Sequence, residues 1–174
     1  QPALTNLEVR VSTEARAAAG STEDLLVVDG PLRNRRHLER AIGYIKTHRS
    51  QYLPATLSTV VTSLAPGQRS PVFRHGTIWH AYSWYLRLPG PAGGPWSGIV
   101  RLECPAELTR SAAVALADLS AVTLPRFASS PYKDPRAPQN LVPIGGLEKR
   151  LRAMLGDPRL LHRALRTAAA KAAR

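Results

Sequence analysis

The pattern of apolar positions predicts the strands of this chain. Residues 7–11 alternate between apolar and charged side chains, which is typical of a short strand with one buried face. Residues 25–28 are apolar at every position and end at Asp29, which predicts a strand buried on both faces. Further strands are predicted at about residues 41–46, 71–74, 80–88 and 98–104.

Apolar residues at helical spacing predict the helices. Residues 12–19 are suited to a helix that Ser12 or Thr13 caps and that Gly20 ends. Residues 50–64 carry a strong apolar stripe at helical spacing. Helices are also predicted at residues 108–124, 147–155 and 158–174, the last two with basic outer faces. The resulting order of strands and helices indicates an α/β protein.

The charge balance points to a polyanionic partner. The chain of 174 residues has the length of one domain, with 24 Lys and Arg against 12 Asp and Glu. A net charge of +12 repels itself in the folded state, and the common reasons for such a surplus are phosphate backbones, anionic membranes and acidic partner proteins. Most of the cations are Arg, which favours bidentate contact with phosphate. We therefore expect the protein to work on nucleic acid.

Targeting signals and cysteine content suggest the compartment. No stretch reaches the ~18 apolar residues of a membrane span, so no membrane association is predicted. A single cysteine, Cys104, rules out an internal disulfide and suits a reducing compartment. The first residue is Gln1, and no signal-peptide pattern follows it. The expected location is cytoplasmic.

Asp29 is the first candidate for chemistry. A carboxylate at the carboxyl end of a buried parallel strand points into the crevice where open α/β sheets bind ligands. Such a carboxylate is costly without a positive partner, and a divalent metal is a natural one. The alternative is that Asp29 only initiates a turn with Gly30 and Pro31. Glu14 has two interpretations as well, a metal ligand or an ordinary exposed helix residue.

Two motifs carry a resemblance to NurA-type nucleases. Residues 25–32 read Leu-Leu-Val-Val-Asp-Gly-Pro-Leu, and residues 43–46 read Gly-Tyr-Ile-Lys. This is similar to the family's apolar strand ending in Asp-Gly-Ser/Pro-Leu and its following Gly-x-x-Lys strand. The family has a helical glutamate before this block, at the place of Glu14. Its late Pro-Leu-x-x-Ala-His motif corresponds to residues 143–148, where Glu148 stands for the histidine.

The resemblance implies a fold, an activity and site residues. It implies an RNase H-like mixed sheet flanked by helices, and DNA cleavage that depends on Mn²⁺ or Mg²⁺. Glu14, Asp29 and Glu148 would be the metal ligands, and Lys46 would lie near the scissile phosphate. Two metals held by carboxylates activate a water and stabilise the leaving oxygen. The implied partners are DNA and a HerA-type hexameric ATPase translocase in DNA end processing, and a homodimer is left open.

Two departures from the family leave the activity open, and the replacement of histidine by Glu148 is the milder one. The family begins with a strand whose Asp-Gly-Ser aspartate bridges the metals, but no aspartate precedes Asp24 here. We therefore expect residues 1–174 to form a single RNase H-like nuclease domain that is N-terminally incomplete. The alternatives are a non-catalytic, basic DNA-binding or adaptor subunit with the same fold, and an RNA-binding protein.

Basic residues after Asp29 are the predicted nucleic-acid contacts. They lie on one loop and the strand that follows it, and they are Arg33, Arg35, Arg36, Arg40 and Lys46. Glu103 is interpreted as a metal ligand or as a cross-strand partner of Arg87. Asp134 is a rival for the last carboxylate. Among the remaining polar and aromatic residues, we expect His75 and His80 to be ordinary, Tyr82, Trp84 and Cys104 to be core, and Trp79 and Tyr85 to be the base-stacking candidates.

Overall fold

The computed structural model describes residues 2–19, 23–35, 37–47, 52–76, 80–91, 93–132 and 137–172. Along these residues one helix precedes two strands, a second helix precedes three strands, and three α-helices follow. The strands are β1 (Leu26–Asp29), β2 (Ala41–Ile45), β3 (Phe73–His75), β4 (Ala81–Arg87) and β5 (Ile99–Pro105). The helices are α1 (Pro2–Ala18), α2 (Ala55–Thr62), α3 (Arg110–Thr123), α4 (Val142–Leu155) and α5 (Pro158–Ala172), and a 3-10 helix at Leu124–Phe127 follows α3.

The five strands form one mixed sheet. Their order is β1-β2-β5-β4-β3, so β1 and β3 are the two edges. The strands β1 and β2 are parallel, and every other neighbouring pair is antiparallel. A mixed sheet flanked by helices is the predicted α/β architecture, and it is compatible with an RNase H-like fold.

The main core lies between the sheet and α3. Alternate residues of the central strands point to this face, among them Tyr44, Trp84 and Leu102, all with no exposed surface. The small side chains Ala113 and Ala117 let α3 approach them closely. The Trp84 indole Nε1 donates a hydrogen bond of 3.0 Å to the Ser120 hydroxyl of α3. Apolar burial and this bond fix α3 over the centre of the sheet.

The other face of the sheet is also covered. Val61 of α2 packs with Tyr85 and Ile99, and Leu32 of the β1–β2 connection packs with Val28. Polar side chains on this face are therefore buried as well. This explains why β5 is buried at all seven positions although its sequence alternates.

Most of the predicted elements are confirmed, but the strand at residues 7–11 is wrong. That segment is helical and belongs to α1. Ser12 and Thr13 do not cap a helix, because both hydroxyls donate back to the Val9 carbonyl within α1. Leu7 and Val11, four residues apart, also fit one helix face, so five residues of alternation did not distinguish the two structures.

Three further elements differ from the predicted ones in extent or burial. The helix α2 begins only after Pro54, which lacks the backbone N–H that an earlier start would need. The strand β1 is an edge strand that packs on both faces, but only Val28 is buried, while Leu26 and Val27 are partly buried. The helix α4 begins at Val142, five residues before the predicted start at residue 147. Among the described residues, no helix is long and apolar enough to cross a membrane.

Candidate functional site

Asp29 lies at the carboxyl end of β1. It pairs with Tyr44 of β2, whose side chain is in the main core, so Asp29 is on the α3 side of the sheet. Gly30 follows with φ +100°, a conformation that suits glycine, and its N–H donates to the Tyr44 carbonyl at 2.8 Å. The Asp29 side chain is 46% exposed. The turn interpretation and the site interpretation are thus compatible, since Gly30 makes the turn and the carboxylate remains accessible.

Lys46 and Asn140 complete a polar group at this edge. The Lys46 Nζ lies 2.9 Å from the Asp29 Oδ2 and 3.4 Å from the Asn140 Oδ1. The Lys46 side chain is 21% exposed, and Asn140 is fully buried. The Tyr44 hydroxyl donates to the Gln139 carbonyl at 2.6 Å, which holds residues 139–140 against β2. We call Asp29, Lys46 and Asn140 the edge group.

Burial and the nearby Asp29 carboxylate both raise the pKa of Tyr44. Removing its hydroxyl from water raises the pKa of Tyr44 far above the ordinary value of 10, and the negative charge of Asp29 raises it further. Tyr44 therefore stays a neutral hydrogen-bond donor at every physiological pH. It serves as a fixed support beneath the edge group.

The turn after Asp29 is anchored by Glu103 on the opposite face of the sheet. The Leu32 backbone N–H donates to the Glu103 Oε1 at 2.8 Å. Gly43 lies between them, and a Cβ at this position would be 2.8 Å from the Gly30 carbonyl oxygen and 3.0 Å from the Glu103 Cγ. The glycine of the Gly-x-x-Lys motif is thus required for close packing. It lets the turn lie directly on β2.

Glu103 belongs to a buried charged network. The Arg101 Nη1 lies 2.9 Å from the Glu103 Oε2, 3.0 Å from the Ser83 hydroxyl and 3.2 Å from the His75 Nε2. The Tyr52 ring covers the guanidinium at 4.3 Å. Glu103 is 1% exposed and Arg101 is 6% exposed. We call Arg101, Glu103, Ser83 and His75 the buried network.

The buried network keeps His75 neutral. Burial and the positive charge of Arg101 lower its pKa from 6.5 to about 4. The Nε2 atom lies 2.8 Å from the Ser83 hydroxyl, and the Nδ1 atom has no hydrogen-bond partner among the described residues. His75 is therefore not the ordinary polar histidine that its sequence position suggested, whereas His80 is exposed as expected.

Glu14 and Glu148, the other predicted metal ligands, do not share a metal-binding group with Asp29 among the described residues. Glu14 is on α1, 69% exposed, and pairs with Arg10 one turn earlier at 3.5 Å. Glu148 is half-buried on α4. Among the described residues, no three His, Cys, Asp or Glu side chains form a group that could hold a metal ion. The three carboxylates of the predicted ligand set therefore do not converge on a common centre here.

The predicted arginine contacts divide into two kinds. Arg33 is exposed on the β1–β2 connection, and Arg40 is partly exposed and 3.5 Å from Glu23. Arg35 is only 7% exposed, and its guanidinium ties the connection to α1 through Glu8 at 2.9 Å. Arg36 lies outside the described residues. Arg33 and Arg40 can reach solvent, whereas the Arg35 charge is used within the fold.

Three smaller expectations are corrected or confirmed. The partner of Glu103 is Arg101 rather than Arg87, whose guanidinium donates to the carbonyls of Thr62, Pro95 and Ser97. Tyr85 is buried beneath α2 and is not available for base stacking. Cys104 is core as expected, and burial with the nearby Glu103 charge raises its pKa to about 12. Trp79 and Asp134 lie outside the described residues.

Two sets of residues were not recognised from the sequence. Asn140 contacts Lys46 across 94 residues of chain, and no local pattern around Asn140 indicates that contact. The buried network was missed because polar residues that alternate along β4 and β5 suggest a solvent-facing side. The apolar stripe predicted for α2 was the available signal, since that helix needs a sheet face to pack against.

Comparison with known proteins identifies the family. No curated protein is similar enough in sequence to match. The family model of the NurA domain matches residues 4–144, which span α1 to the beginning of α4 and include the edge group and the buried network. Because this match covers most of the chain, the protein belongs to the NurA family.

Proposed function

We propose that this protein is a DNA nuclease of the NurA type, acting in DNA end processing beside a HerA-type hexameric ATPase. NurA proteins are a family of metal-dependent nucleases, and the family match supports this class of activity. The net charge of +12 supports a polyanionic substrate. The proposal of which residues contact the metal and the phosphate rests on the edge group.

The accessible carboxylate of Asp29 is the observation that carries the proposal. It stands at a strand end, on a turn that Glu103 fixes from beneath, and Lys46 is 2.9 Å away. A fixed carboxylate beside a cation is suited to hold an ion and a phosphate oxygen at neighbouring positions. Asp29 is the proposed metal ligand, and Lys46 is the proposed phosphate contact.

The described residues do not fit a complete two-metal site. Mn²⁺ and Mg²⁺ take oxygen ligands, and the Asp29 carboxylate with the Asn140 amide oxygen offers that chemistry at one place. Glu14 and Glu148 do not join Asp29 in a metal-binding group. An ion at Asp29 would also have to displace Lys46. The geometry therefore supports only Asp29 as a proposed metal ligand, while Glu14 and Glu148 remain proposals from the resemblance.

A non-catalytic DNA-binding subunit is the second candidate. The Asp29–Lys46 ion pair favours it, because Lys46 occupies the carboxylate that an active site would offer to a metal. Both candidates place DNA at the same edge. They differ in whether the bound strand is cut.

The deciding experiment compares Asp29→Asn with the wild-type protein. Cleavage of labelled DNA is followed with Mn²⁺ or Mg²⁺, with EDTA, and with and without the HerA-type ATPase. The substitution keeps the size of the side chain and removes its charge. Loss of a metal ligand should reduce the cleavage rate by orders of magnitude. DNA affinity measured in EDTA should be retained or increase, since a negative charge facing the phosphate is gone.

Asp24→Asn is the matched control. Asp24 is also exposed and close in sequence, and its backbone carbonyl, which the change leaves intact, is the atom that Arg16 contacts. This variant should cleave like wild type. Cleavage that survives in Asp29→Asn would move the chemistry away from the edge group. Absence of wild-type cleavage under every condition, with DNA binding intact, would establish the non-catalytic subunit instead.

A further inference from the structure

A cleft with three arginines lies at the opposite edge of the sheet from Asp29. Its walls are the chain leading into β3, the strands β3 and β4, and the first turns of α3. Arg69, Arg74 and Arg110 supply the charge, and Val72, Tyr82 and Val114 supply apolar surface between them. Neither the family resemblance nor the edge group involves these residues.

The fold holds this cleft in a defined shape. Arg74 and Tyr82 are directly paired across β3 and β4. Arg110 and Val114 are one turn apart on the same side of α3. The Arg69 Nε and Nη2 lie 2.8 Å and 2.6 Å from the Asp118 Oδ1, a contact that joins the chain before β3 to α3. The walls are therefore connected to each other and to the core.

The three arginines of the cleft differ in whether a described carboxylate contacts them. Asp118 balances Arg69. Arg74 and Arg110 are exposed, and neither guanidinium makes a hydrogen bond or an ion pair with another described residue. Two uncompensated cations that line one cleft repel each other, and a bound anion relieves that repulsion. Guanidinium groups beside an apolar, partly aromatic surface suit a nucleotide, since the phosphate meets the cations and the sugar or base meets the floor.

We propose that this cleft binds the phosphodiester backbone of a DNA strand, as a second contact distant from the edge group. The proposal takes DNA as the ligand from the proposed function, but it does not require that the protein cleaves it. Because β1 and β3 are the two edges of the sheet, a strand held at both places would cross the molecule. The cleft would thus bind the same DNA strand at a second point, distant from Asp29.

The test is DNA binding in EDTA by the variant Arg74→Ala/Arg110→Ala, followed by fluorescence anisotropy with a labelled single-stranded oligonucleotide. Affinity should fall on the order of 10-fold or more at low salt, since two charge-assisted contacts are lost. The slope of log affinity against log salt should become shallower by about 1.4, at ~0.7 for each lost contact on a single strand. The matched control is Arg10→Ala/Arg126→Ala, which removes the same charge from exposed positions elsewhere.

The outcomes separate this proposal from the proposed function. A loss of affinity in the cleft variant that exceeds the loss in the control supports the cleft, whether or not the wild type cuts DNA. An equal loss in both variants, or an unchanged salt slope, overturns it. Retained DNA affinity together with lost binding to vesicles that contain phosphatidylserine would overturn it in favour of a lipid headgroup. The single variants Arg74→Ala and Arg110→Ala, each expected to change the slope by about 0.7, serve if the double variant does not fold.

Discussion

The edge group and the buried network lie on opposite faces of neighbouring strands, and both contain a carboxylate that contacts a cation. In the edge group, Asp29 and Lys46 are partly exposed and meet at a single 2.9 Å contact. In the buried network, Glu103 and Arg101 are almost fully buried, and each makes further hydrogen bonds. The two ion pairs have the same length but different surroundings.

The difference shows which pair can serve function and which serves the fold. A buried carboxylate has its two oxygens committed, one to the Leu32 N–H and one to Arg101, so it offers nothing to a ligand. An exposed carboxylate with one cation can exchange that cation for another at a small cost. We infer that the buried network holds the turn rigid so that the edge group can remain open.

Removing Glu103 should have the largest effect on stability. Glu103→Ala leaves the buried Arg101 charge without its carboxylate and the Leu32 N–H without its acceptor. The expected loss in the free energy of unfolding is about 3–5 kcal/mol, measured by urea denaturation. Glu103→Gln is the control, since its amide oxygen still accepts from Leu32 and the loss should be smaller. A loss below ~1 kcal/mol in the alanine variant would contradict a buried, rigid network.

The pH dependence of stability should show an intermediate effect that comes from His75. Its pKa is lowered to about 4 in the folded protein and is about 6.5 when the chain is unfolded. As the pH falls from about 6.5 to about 4, the unfolded chain therefore takes up a proton that the folded protein does not. Stability should decrease through that window and be insensitive to His75 above it.

The control for this effect is His75→Gln, which keeps a polar side chain but cannot ionise. Urea midpoints for both proteins are compared at several pH values, and only the change with pH is used. The curve of the variant should be flatter between about pH 6.5 and pH 4. Exposed carboxylates titrate equally in both proteins and cancel in the comparison. Parallel curves would show that the buried network tolerates a protonated His75.

Removing Lys46 should have the smallest effect on stability. Lys46→Met keeps most of the apolar stem and removes an ion pair whose partner is 46% exposed. Exposed pairs of this kind contribute about 0–1 kcal/mol, so the urea midpoint should hardly move. DNA affinity should fall, and Lys46→Arg should restore much of it. A stability loss as large as that of Glu103→Ala would erase the distinction between the two groups.

Strand positions were predictable because they depend on local alternation. The apolar run that ends in Asp29 and the alternation in β4 and β5 each need only a few neighbouring residues to be recognised. The segment at residues 7–11 shows the limit of such evidence. Its short alternation suited a strand or a helix equally, and a mostly exposed helix such as α1 places little constraint on its sequence.

Which residues contact each other in the site could not be predicted, because these contacts join residues that no local sequence pattern relates. Alternation along β5 places Glu103 on the opposite side from Cys104, but whether Arg87 or Arg101 is its partner depends on register. Arg87 pairs with Ile99, four residues from Glu103, whereas Arg101 lies two residues before Glu103 on the same face of the same strand. The contacts of Lys46 with Asn140, and of Leu32 with Glu103, join distant parts of the chain and require the whole fold.

The bond between Leu32 and Glu103 also sets an order of events during synthesis. Its two ends are 71 residues apart, so the turn that carries Asp29 cannot acquire its anchor until β5 has been made. The strand β2 has the same dependence, because its second neighbour in the sheet is β5. A ribosome-bound chain that ends before residue 99 would hold β1 and β2 without either support. The edge group therefore gains its support only after β5 has emerged from the ribosome.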